Sequence, residues 1–89
     1  MKIKITRPDD AFIMDKSVRK WPIWEKEVSK FPWTYDSVEE CFIIEGEIIV
    51  ETATETVTIH PGDFVIFPAG LSCVWDIRKP VRKYYSFPE

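Results

Sequence analysis

Hydrophobic and polar positions alternate along most of this chain in short runs, the period of half-buried β-strands rather than of helices. In Lys2-Ile3-Lys4-Ile5 the lysines fall on one face and the isoleucines on the other, so Met1 to Ile5 reads as a strand at the edge of a sheet. Arg7-Pro8-Asp9-Asp10 reads as a turn, Phe12 to Met14 as a short extended piece, and Lys16 to Arg19 as a single helical turn. Trp24 to Ser29 alternates again, and Phe31-Pro32 is expected to break it, because proline brings no N–H to a ladder. Glu39 to Ile44 and Glu47 to Thr52 read as two strands joined by a tight hairpin at Glu45-Gly46, where glycine supplies the positive φ. Glu55 to Ile59 follows. His60-Pro61-Gly62-Asp63 and Pro68-Ala69-Gly70 are turns on either side of a buried strand, Phe64 to Phe67. Ser72 to Ile77 and Val81 to Phe87 complete a pattern of about eight or nine strands and no long helix.

Length and composition narrow this to one all-β domain over residues 1–89, since 89 residues suffice for one core of moderate size. Apolar residues make up 45% of the chain and aromatic residues 15%, enough for a packed interior in which Phe and Trp carry much of the buried area. The net charge of -3 speaks against nucleic acid as a partner, because phosphate binding needs clustered Lys and Arg, and Arg78-Lys79 with Arg82-Lys83 is a short cluster. No apolar run approaches the length of a membrane span, and the alternating N-terminus is unlike a signal peptide, so a cytoplasmic protein is expected. Cys41 and Cys73 fall inside strands at a spacing foreign to zinc ribbons and redox motifs; free thiols suit a reducing compartment, with a disulfide between them as the alternative.

Several pieces recur together in one known pattern: Trp21-Pro22-Ile23-Trp24-Glu25, Phe31-Pro32-Trp33-Thr34-Tyr35, Glu39 with Glu45-Gly46, Gly62-Asp63 with Phe67-Pro68-Ala69-Gly70, Cys73-Val74-Trp75-Asp76, and Val81-Arg82-Lys83. On these residues the chain resembles a cupin, of the small single-domain group related to ureidoglycine aminohydrolase-like and ethanolamine-utilisation-like proteins. The motifs occupy residues 33–46 and 62–77, and the fifteen residues between Gly46 and Gly62 leave no room for an inserted lid. The resemblance implies a jelly-roll β-barrel whose mouth lodges a ligand. It also implies that the metal-ligand positions of other cupins fall on Trp33, Tyr35, Glu39 and Cys73, with Trp33 and Tyr35 pointing together into the cavity and Cys73, Trp75 and Ile77 lining the opposite wall.

That set is poor in metal donors. Trp33 offers none and Tyr35 only a phenolate, leaving Glu39 and Cys73 as two donors of different softness, so neither metal nor cofactor is expected. His60 reads as an exposed turn residue. Glu39, among Trp33 and Trp75, is either a general acid or base or a carboxylate paired structurally with Lys83, Arg82 or a tyrosine hydroxyl. Tyr35 is a hydroxyl donor toward Glu39 or a ligand, and Cys73 is either a nucleophile or a buried, inert thiol. Trp33, Trp75, Trp24, Lys83 and Ile77 are the expected ligand-binding residues, with the aromatic side chains as flat walls or as mere filling. Trp21, Trp24 and Phe31 either form an interface patch in a homodimer or pack within the chain. Function divides accordingly. The first reading is a metal-free barrel acting by acid–base chemistry on a small molecule, which the resemblance implies is a nitrogen-containing metabolite; the others are a non-catalytic dimeric sensing or interaction module and, by the same resemblance, a weakly metal-dependent aminohydrolase-like enzyme.

Overall fold

Two long strands, β4 (Glu39–Glu51) and β7 (Ser72–Ser86), pair antiparallel along almost their whole length and organise the rest of the molecule. The computed structural model describes residues 1–88. Around that pair lie β1 (Lys4–Thr6), β2 (Ile23–Lys26), β3 (Ser29–Thr34), β5 (Thr56–Ile59) and β6 (Phe64–Phe67), in a sheet of order β1-β6-β4-β7-β2 with β3 added to β7 and β5 to β4. The first half of β4 pairs with β6 and the second with β5; likewise β7 pairs with β3 through its first half and β2 through its second. The sheet thus folds over on itself in the manner of a jelly roll without closing.

The expected hairpin at Glu45-Gly46 is not formed. Each half of β4 finds its partner in β7, and the strand continues through a set of register shifts between Ile43 and Ile48. Such an irregularity moves the inward face by one residue. Glu39, Cys41 and Ile43 are buried before it, Ile48 and Val50 after it. Gly46, at φ +115°, is where the two strands cross most closely: an added Cβ would stand 2.8 Å from the Pro80 carbonyl oxygen and 2.9 Å from Val81 Cα. Pro80, expected between two strands, lies inside β7 at this same irregular stretch. Seven strands result among the described residues, fewer than the pattern predicts.

Two further expectations are corrected by local hydrogen bonding. Phe12 to Met14 belongs to a helix, α1 (Asp10–Asp15), because Asp9 caps it by accepting from the Phe12 N–H at 3.0 Å. The helical turn that follows is a 3-10 turn at Val18–Lys20. Pro32 does not end a strand; it sits within β3, whose pairing is with β7 on one side, so the missing N–H falls at a sheet edge. The turn at His60-Pro61-Gly62-Asp63 forms as expected, clasped by the buried Asp63, which accepts from the His60 backbone N–H at 2.8 Å and from Arg7 at 3.0 Å. His60 itself is exposed. No helix among the described residues is long and apolar enough to cross a membrane.

Candidate functional site

Where the sheet folds over, the side chains of β2, β3, β4 and β7 line a half-open cavity of about 290 Å³. Its apolar walls come from period-two positions: Phe31, Trp33 and Tyr35 on and just beyond β3, and Trp75, Lys83, Tyr85 and Phe87 along and beyond β7. Trp24 from β2 and Glu39 from β4 complete it. Trp75, 2% exposed, is the pivot of the wall: Trp24 meets it edge-on at 5.9 Å, Phe31 stacks on it at 6.2 Å and Phe67 lies 5.7 Å away. Tyr35 stacks on Phe67 at 4.8 Å, and Trp33 stands edge-on to Tyr35 at 6.5 Å, half exposed at the mouth.

One ion pair is set into this aromatic lining. Lys83 Nζ donates to Glu39 Oε2 at 2.8 Å, and both side chains are 6% exposed. Lys83 is paired across the sheet with Ile43, so its stem runs along the inner face past Cys41 to reach Glu39 at the start of β4. Its ammonium lies 4.9 Å and 4.7 Å from the ring centres of Trp24 and Trp75, so two indole faces and one carboxylate surround it. Of the partners proposed for Glu39, Lys83 is the one found; Arg82 instead pairs with Glu25.

The neighbouring acids are held neutral. Burial pushes the Tyr35 phenol far above its usual range, with Glu39 and then Cys41 adding to the effect. Burial likewise raises the Cys41 thiol to about 12, against the attraction of Lys83, and raises Cys73. The Trp75 indole N–H lies near Tyr35 and Cys73 and offsets part of both shifts, yet it meets hydrogen-bond geometry with neither and stays buried without a partner. Among the described residues no donor bonds Glu39 Oε1 and no group bonds the Tyr35 hydroxyl.

The fold and this geometry coincide with a known family: residues 14–85 match the EutQ-like cupin domain. The chain belongs to the EutQ-like cupins. A DUF861 family protein from Thermotoga maritima is 46% identical over 98% of this chain and 100% of its own, with a TM-score of 0.95. A putative ethanolamine utilization protein Q from Salmonella typhimurium is 30% identical, with a TM-score of 0.64, over 71% of this chain and 51% of its own. The EutQ protein of Clostridium difficile shares the fold at 21% identity and a TM-score of 0.65, the match covering 74% of this chain and 53% of that protein. This EutQ-like cupin therefore spans about half the length of those two relatives. No curated protein matches it.

In this EutQ-like cupin, the four positions equated with metal ligands do not make a metal site. Trp33 has no donor to give, Cys73 does not line the cavity, and one oxygen of Glu39 is taken by Lys83. No three His, Cys, Asp or Glu side chains cluster for metal among the described residues. Cys73 and Ile77, expected on the ligand wall, are buried in the core and do not line the cavity. Trp24 and Phe31 are cavity wall rather than surface patch, and Trp21 packs at 6.2 Å on Phe64. Tyr85 and Phe87 are absent from the sequence-based expectation; their alternation with Lys83 along β7 and just past its end is the signal that places them.

Proposed function

We propose that this protein binds a small nitrogen-containing organic molecule in the aromatic cavity and acts on it by proton transfer through Glu39, without a resident metal. One observation carries the reading. A carboxylate oxygen and a phenol hydroxyl, both without protein partners, belong to the same half-open, aromatic-walled space, and a few convergent polar groups in an apolar pocket are the usual form of a small-molecule site. Glu39 Oε1 accepts a proton from the bound molecule and returns it, Lys83 supplies the counter-charge, and Tyr35, held neutral, donates a hydrogen bond. The Salmonella relative's name ties that protein to ethanolamine utilisation, which supports a nitrogenous ligand here. Cys73, with its raised thiol, is a packing residue rather than a nucleophile. Free Cys41 and Cys73 support residence in the reducing cytoplasm. The exposed Ile23, Val28 and Trp33 lie along one stretch of chain and support a homodimer.

The test is a thermal-shift screen of small polar metabolites against wild type, Tyr35→Phe and Glu39→Gln. A ligand at about a hundred times its Kd stabilises the folded state by roughly 2.7 kcal/mol; Glu39→Gln should lose that shift and Tyr35→Phe should reduce it. A shift unaltered in Glu39→Gln, with the variant folded, removes Glu39 from the site.

A further inference from the structure

The charges lining the cavity cancel within it. Lys83 and Glu39 face each other at 2.8 Å, the lysine with an indole face on two further sides, and these are the two charged residues of the lining. A carboxylate, phosphate or sulfate entering this space meets a cation already bound by Glu39, and Glu39 repels it. An ammonium or guanidinium finds the Trp24 and Trp75 faces already filled by Lys83, and Lys83 repels it. In so apolar a lining neither repulsion is screened as it would be in water. What the cavity leaves unmet are neutral-type hydrogen bonds: Glu39 Oε1 needs a donor, while the Tyr35 hydroxyl needs an acceptor.

We infer that the cavity selects an uncharged, flat molecule bearing a hydrogen-bond donor and an acceptor side by side, as in a primary carboxamide. The donor edge meets Glu39 Oε1, the acceptor meets Tyr35, and the flat body lies between the rings of Trp24, Phe31 and Trp33. At about 290 Å³, and roughly 30 Å³ for each non-hydrogen atom as in liquid water, the space holds on the order of ten such atoms. Free ethanolammonium, a small cation, falls on the excluded side. This inference rests on the reading of the cavity as a small-molecule site and adds the charge rule.

Benzamide, benzoate and benzamidine share one shape and differ in charge, so they test the rule directly by calorimetry or by tryptophan fluorescence of the intact protein at neutral pH. Benzamide should bind at least about tenfold more tightly than either ion, a gap of about 1.4 kcal/mol. In Lys83→Met, where the aromatic faces and Glu39 are released, the order should invert so that benzamidine becomes the best of the three. Should that variant not fold, the wild-type series decides alone. Binding of benzoate or benzamidine as tightly as benzamide overturns the charge rule while leaving the cavity a ligand site. Failure of all three to bind also overturns it, and the metabolite screen then judges the broader reading independently.

Discussion

Removing Lys83 should be the most damaging single change at the site, and the reason can be worked from its surroundings. Lys83→Met keeps a flexible apolar stem against Trp24 and Trp75 but strands the Glu39 carboxylate, 4% exposed, without its cation. Breaking a buried pair in this way costs about 3–5 kcal/mol. A domain of this size has roughly 4–13 kcal/mol in all, so the variant loses a large share of its stability. At roughly 4–8 °C per kcal/mol, the melting temperature falls by about 12 °C or more. Glu39→Gln should cost less, because the stranded ammonium retains two indole faces worth about 0.5–2 kcal/mol each. The double variant has no buried charge and should recover most of the loss. Guanidinium unfolding followed by tryptophan fluorescence gives all four corners of the cycle, and a favourable coupling of about 2 kcal/mol or more is expected. Additive penalties, or a Lys83→Met penalty under about 1 kcal/mol, would refute the account of a desolvated, mutually dependent pair.

Tyr35→Phe removes a hydroxyl that has no protein partner at hydrogen-bond geometry, so unfolding free energy should change by less than about 0.5 kcal/mol while ligand affinity drops several-fold, as a paired denaturation and binding measurement will show. Gly46→Ala forces a side chain to within 2.8 Å of the Pro80 carbonyl at a positive φ, and chemical denaturation should register a loss of about 3 kcal/mol or more. Cys41 keeps its proton in the folded state up to about 12, whereas the unfolded thiol releases it near 9.0. Its contribution to stability is therefore complete below the unfolded value and lost as pH rises through the folded one, and Cys41→Ala should flatten the fall in melting temperature between pH 9 and pH 12. Sedimentation will show a homodimer if Ile23 and Val28 are covered by a second copy; Val28→Glu should then dissociate it.

Much of this architecture is written in short-range patterns. Alternation of period two locates most of the strands and says which residues of one strand share a face, because face is a local property of the pleat; that Tyr35, Glu39 and Trp75 meet in one interior is what the cupin resemblance implies, and all three line the cavity. Continuity is not local. Gly46 and Pro80 look like chain breaks when read singly, and only their apposition, with the Gly46 position closed against Pro80 and Val81, explains why both strands run through. The same limit applies to the site. Lys83 could be nominated as a partner of Glu39, but so could Arg82, and the choice depends on which of two adjacent β7 residues faces inward. For Phe31 the pattern leaves an interface patch and packing within the chain equally open; the pairing of β3 with β7, which accommodates Pro32 at an edge and leaves Phe31 stacked on Trp75, decides for the second. The Asp9 cap that turns Phe12 to Met14 helical is a one-residue signal, outweighed in the sequence by the surrounding strand pattern.

The β4–β7 pairing has a consequence for how binding competence is acquired. Glu39 and Lys83 are separated by 44 residues, and the ladder that joins their strands bridges the middle of the chain. Closing so large a loop is the slow part of assembling an antiparallel fold, expected on a timescale of milliseconds to seconds. No half of the molecule carries a usable fraction of the pocket, since its charges meet only when that ladder zips. Affinity for a ligand and global unfolding should accordingly share one midpoint in denaturant.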